Sequence, residues 1–131
     1  GESVTIDGRL RLCGVDDPAG LRRGIACYVD EDPVLPPSRD DVPTVLLKHQ
    51  PRVNEKAFGR FDLQLSGHTH GGQIFPWHFL TRLQYKYYQG LHALAGDSHL
   101  YVSRGAGTWG PPLRLFAPPE VTLIILRPAQ E

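Results

Sequence analysis

Asp62-Leu63-Gln64-Leu65-Ser66-Gly67-His68-Thr69-His70-Gly71-Gly72-Gln73 is the stretch on which the reading of this chain turns. Asp62 to Ser66 reads as a short buried strand. It runs straight into a glycine-rich loop carrying two histidines one residue apart. Glycine lets such a loop turn sharply and approach its neighbours closely. Imidazole is a good ligand for Zn, Mn or Fe, and no cysteine lies near enough in sequence to suggest a thiolate site. A lone His-x-His is equally compatible with two surface or core histidines, so the pair needs support from elsewhere in the chain.

That support lies upstream. Thr44-Val45-Leu46-Leu47 reads as a second buried strand, and Lys48-His49-Gln50-Pro51 follows it at once. Taken singly, His49 is an ordinary core histidine. Three histidines where strands give way to loops point instead to one rim of a sheet, where α/β proteins keep their ligands. His78, His92 and His99 have no such setting and are read as structural or surface residues.

The remaining elements form a strand-rich α+β or α/β pattern. Val4-Thr5-Ile6 and Leu10 to Val15, broken by Asp7-Gly8, predict a hairpin. Asp17-Pro18 predicts a helix start, with Asp17 as its cap, and Ala19 to about Val29 a short helix weakened by Gly20 and Gly24. Residues 31–43 hold four prolines and predict a loop. Val53 to Phe58 and Phe79 to Tyr88 predict brief helices. His99 to Ser103 and Val121 to Leu126 predict strands flanking a Gly- and Pro-rich stretch from Gly105 to Pro119.

Composition narrows the function. Fourteen basic residues balance fourteen acidic ones, which gives no electrostatic footprint for a nucleic-acid partner. Cys13 and Cys27 match no zinc or redox spacing and predict small buried hydrophobes or one incidental disulfide. No apolar run approaches the ~18 residues of a membrane span. A start at Gly1-Glu2-Ser3 with no methionine anywhere suggests a processed or severed piece.

The strand ending in His49, followed by a strand leading into Gly67-His68-Thr69-His70, resembles the last two metal motifs of calcineurin-like metallophosphoesterases. Gly71-Gly72-Gln73 and Tyr101-Val102-Ser103-Arg104-Gly105-Ala106-Gly107-Thr108 extend the likeness to the small bacterial branch, whose members are often membrane-associated. The resemblance implies two packed sheets with helices outside. It also implies hydrolysis of phosphate mono- or diesters by water activated between two divalent ions, Mn, Zn or Fe. His49 and His68 would ligate one ion and His70 the other. Arg104 would be a phosphate-side cation or a salt-bridge partner, and Gln73 a ligand contact or a loop brace. For Asp17, capping is preferred over a place at the site; for Trp109 and Pro111-Pro112, packing is preferred over a wall at the substrate entrance.

The family's Asp-x-His, bridging-carboxylate and Gly-Asn-His motifs normally precede this region, and none of them occurs ahead of His49 in this sequence. The expectation is therefore that residues 1–131 form the C-terminal part of a phosphoesterase domain whose N-terminal half is absent. Such a piece would be inactive, hold at most one ion weakly, and pair with its missing half or with itself by dimerising or swapping. A place in the cytoplasm or peripheral to a membrane is expected. The competing readings are a non-catalytic metal-binding or assembly module, and a cupin-like metal enzyme. The second is disfavoured because the His pair is followed by Gly71-Gly72-Gln73-Ile74, with no Glu within a few residues.

Overall fold

The protein, described by a computed structural model over residues 1–127, is built on one six-stranded mixed sheet in the order β1-β2-β3-β4-β6-β5. Strands β1 (Glu2–Ile6) and β2 (Leu10–Gly14) form the expected antiparallel hairpin. Asp7 and Gly8 both take positive φ (48° and 67°), as the tight hairpin turn requires.

From β2 the chain makes a long crossover before β3 (Thr44–Leu47) joins in parallel. The helix expected over Ala19 to Val29 reduces to a 3-10 turn, Leu21–Arg23. Two glycines account for the difference. Gly24, at φ 72°, ends the turn in a left-handed cap, and Gly20 packs so closely on Cys27 that a Cβ there would lie 2.3 Å from its sulfur. The 31–43 loop is a loop as expected, but it carries Val34 and Leu35 into the core.

Strands β4 (Leu63–Ser66) and β6 (His99–Val102) extend the parallel set, and β5 (Gly90–Ala93) closes the far edge antiparallel to β6. The Val53 to Phe58 segment is a 3-10 turn, Glu55–Ala57, capped by Asn54. The helix predicted over Phe79 to Tyr88 is α1 (His78–Gln84), ending where Tyr85 becomes extended and buried.

One predicted strand is absent. Val121 to Leu126 is not paired, and its apolar side chains are exposed, Val121 at 91% and Leu123 at 85%. The composition suits a strand, but the segment pairs with neither edge strand of the sheet, β1 or β5. The last four residues of the expected 1–131 span lie outside the described residues.

The core gathers Cys13, Leu46 and Phe61 with Val34, Leu35 and Ala57 on one side of the sheet. Cys13 and Cys27 are free thiols, Cys13 fully buried. Much apolar surface stays uncovered elsewhere: α1 buries none of its residues, and Phe79, Leu80 and Leu83 are all exposed.

Candidate metal centre

Three loops leave the C-terminal ends of the adjacent parallel strands β2, β3 and β4, and each carries one candidate ligand a few residues later. Asp17 follows Gly14, His49 follows Leu47 and His68 follows Ser66. This rim is where parallel sheets open a crevice for ligands.

The backbone pairing continues past the strand ends and fixes the loops to one another. Val15 N donates to Leu47 O (3.2 Å), Lys48 N to Leu65 O (3.1 Å) and Gly67 N to His49 O (3.0 Å). On that frame the histidine side chains meet. His68 Nδ1 lies 3.0 Å from His49 Nε2, with the two rings edge to face. Asp17 Oδ2 approaches the same His49 nitrogen at 3.4 Å. The donor atoms of Asp17, His49 and His68 all lie within 4.8 Å of one another.

The loop that presents His68 is under backbone strain. His68, His70 and Gln73 all take positive φ (69°, 50° and 46°), a region that costs residues with a Cβ about 1 kcal/mol or more each. Its glycines are needed for contact as well as conformation. A Cβ on Gly72 would lie 2.3 Å from His78 Cα, so only glycine lets the loop pack on α1. Thr69 Oγ1 donates to Tyr88 O and anchors the loop between its two histidines.

Electrostatics favour neutral imidazoles beside an ionised carboxylate. Burial, reinforced by His49, holds the His68 pKa below the ordinary histidine value. Burial and then the charge of Arg114 do the same for His70. For Asp17 burial acts in the raising direction. The hydrogen bonds from Ala19 N and Gln50 Nε2 and the neighbouring histidines outweigh it, and the pKa is lowered. Imidazole nitrogens and a carboxylate are donors that suit a borderline divalent cation.

Of the three expected ligands, the structure brings His49 and His68 together. His70 stands apart from that cluster: its Nδ1 faces Arg114 Nη2 at 3.3 Å. It still lines a groove of ≈ 660 Å³ with His49, His68, Trp77, Tyr85 and Trp109, so Trp109 and Pro111 do form a wall beside the histidines. Gln73 also lines the groove, but its amide is engaged by the facing loop. Its amide donates to Trp109 O (2.6 Å) and accepts from Trp109 N (2.6 Å). Arg104 is paired with Glu120, Nε to Oε2 at 2.7 Å. His78 packs against Phe79, and His92 Nε2 lies 2.9 Å from Gln89 O.

Asp17 is the residue that sequence reasoning passed over. The expected helix cap is not formed: the 3-10 turn starts from Gly20 without a side-chain cap, and Asp17 Oδ1 instead accepts from Ala19 N at 2.8 Å in a local turn. The other oxygen faces His49. The signal was available: Asp17 follows β2 much as His49 follows β3 and His68 follows β4.

Comparison with known proteins agrees with the chemistry of this rim. The chain is 41% identical over 128 residues to an uncharacterized metallophosphoesterase of Aquifex aeolicus, covering 97% of this chain and 49% of that protein. It is 45% identical over 125 residues to an uncharacterized metallophosphoesterase of Campylobacter jejuni, covering 92% of this chain and 32% of that one. A Bos taurus protein named as a transmembrane protein with metallophosphoesterase domain is 37% identical over 127 residues, 94% of this chain and 29% of its own length. The chain thus spans about half the length of the first of these relatives and about a third of the others. No family model matches it, and no solved structure matches it significantly. Among the described residues no helix is long and apolar enough to cross a membrane. With its His-bearing strand ends and these relatives, the chain belongs to the calcineurin-like metallophosphoesterases and corresponds to their C-terminal portion.

Proposed function

We propose that this chain is the C-terminal half of the catalytic domain of a phosphoester hydrolase that works with two divalent ions. The observation that carries the reading is the meeting of His49 Nε2 and His68 Nδ1, 3.0 Å apart, on loops from adjacent parallel strands. Such ions, when bound, lower the pKa of water and offset the negative charge of the phosphoryl group. His49 and His68 would hold one ion through their ring nitrogens, and His70 would hold the other. Trp77, Tyr85 and Trp109 line the groove and offer an apolar surface to the organic part of a phosphate mono- or diester. Arg104 is spent on Glu120 and steadies the rim.

On this reading hydrolysis belongs to the longer polypeptide. The chain alone has His49, His68, His70 and Asp17 to offer, too few donors for two ions, and is inactive by itself. The exposed apolar surface on α1 supports burial against the other half of the domain or against a second copy. One observation favours a second reading, a metal-binding or assembly module without hydrolysis: Arg114, a cation, faces the ring nitrogen of His70.

The test is hydrolysis of an activated aryl phosphodiester with added manganese. The 131-residue chain would be compared with a polypeptide extended at its N-terminus to the length of the Aquifex relative, each beside its His68→Ala variant. Turnover confined to the extended protein and lost in its variant is the expected result. Turnover by neither protein would sink the hydrolase reading, and His68-dependent turnover by the short chain would sink the claim that it is inactive alone.

A further inference from the structure

The geometry points to Asp17 as a third protein donor in a one-ion site that this chain forms by itself with His49 and His68, selective for a borderline divalent cation such as Zn²⁺ or Co²⁺. The inference rests on the reading of His49 and His68 as ligands and adds to it the carboxylate that the family motifs do not supply.

The atoms decide between two roles for Asp17. A carboxylate that merely orients a metal-bound histidine hydrogen-bonds the ring nitrogen opposite the ligating one. Asp17 Oδ2 instead faces Nε2 of His49, the nitrogen that also faces His68 Nδ1. The carboxylate therefore stands on the ligand side of the ring. Separations of 3.4 and 3.0 Å between donors match the roughly 3.3 Å between neighbouring ligands on one ion that follows from tetrahedral bonds of ~2.0–2.1 Å.

The carboxylate is also held in advance. Its Oδ1 accepts from Ala19 N and from Gln50 Nε2, both at 2.8 Å, which leaves Oδ2 for the ion. Gln50 is itself next to His49 in sequence, so one short segment sets both a ligand and the brace of its neighbour. The side chains span the burial range of an accessible site, with His49 52% and Asp17 28% exposed, so an ion can enter from solvent.

The experiment titrates the 131-residue chain with Co²⁺, reading visible d–d absorption and calorimetric heat, alongside Asp17→Asn, Gln50→Ala and His68→Ala. Asparagine keeps the acceptor for Ala19 N, so the loop is retained, and thermal melts verify folding. One ion per wild-type chain is expected, with affinity reduced tenfold or more and an altered d–d spectrum in Asp17→Asn. Gln50→Ala should lose affinity a few-fold with the spectrum unchanged. If Asp17→Asn binds Co²⁺ with wild-type affinity and spectrum while His68→Ala does not, the Asp17 inference fails and the histidine reading stands. If His68→Ala also binds like the wild type, or if the wild-type chain takes up no ion, the one-ion site itself is refuted.

Discussion

The guanidinium of Arg114 stands 3.3 Å from Nδ1 of His70, while donating through its other contacts to the carbonyls of Arg104, Gly105, Gly107 and Ala117. Arginine has only donors, so Nδ1 of His70 is the acceptor in this pair. The cation also opposes protonation of the ring. Replacing Arg114 by Ala should therefore raise the His70 pKa toward the ordinary histidine value, as followed by NMR titration of its ring protons. The same change should cost about 2 kcal/mol or more of stability through the stranded carbonyls. An unmoved His70 titration would show that Arg114 does not act on the ring.

Gln73 closes a clamp on Trp109 with both ends of its amide. Substitution by Ala removes the partner of both the Trp109 amide and its carbonyl, at a cost of about 1 kcal/mol. Hydrogen exchange at the Trp109 amide should accelerate while the amides of β3 and β4 keep their protection. Uniform acceleration through the sheet would mean that Gln73 supports the whole fold rather than this loop.

Glu120 accepts hydrogen bonds from Tyr101, Arg104 and Thr122, and these hold its pKa at about 2, far below an ordinary carboxylate; the Tyr101 bond contributes most. A folded pKa below the unfolded one means that the unfolded chain takes up the proton first. The contribution is complete above about pH 4.5 and is lost as pH falls toward 2. Denaturation midpoints measured from pH 6 to pH 2.5 should fall less steeply for Glu120→Gln than for the wild type. Parallel slopes for the two proteins would exclude Glu120 as a source of acid sensitivity.

Phe61 is 1% exposed and packs within the cluster that includes Cys13, Leu46 and Ala57. Truncation to Ala should cost about 3–5 kcal/mol by the cavity it leaves. The Asp17–His49–His68 rim lies beyond the strand ends, so the variant should melt earlier yet bind a divalent ion normally while folded. A loss below 1 kcal/mol would show that this face of the sheet is not the core.

The parallel strands were legible because their sequences say what they do: Thr44–Leu47 and Leu63–Ser66 are short and apolar, and each stops at a histidine loop. The hairpin was legible from Asp7-Gly8. Less could be read where structure depends on a neighbour. Gly90–Ala93 has little apolar character and becomes a strand because β6 offers it an edge, whereas Val121 to Leu126 has the composition of a strand but pairs with no strand of this sheet. At the site, His49 and His68 announced themselves by type and position. Asp17 did not, because capping accounts for an Asp before a Pro, and only the three-dimensional frame reveals that its second oxygen is turned to His49. His70 was legible as a member of the motif, but its approach to Arg114, 44 residues away, was not.

The central claim is that His49 and His68 hold a divalent ion, and zinc K-edge X-ray absorption on the Zn²⁺-loaded chain tests it most directly. The account predicts two imidazoles in the first coordination sphere, seen by their outer-shell scattering, with the remaining ligands oxygen. A zinc sphere of oxygens alone, or one that keeps both imidazoles after His49→Ala and His68→Ala, would contradict it.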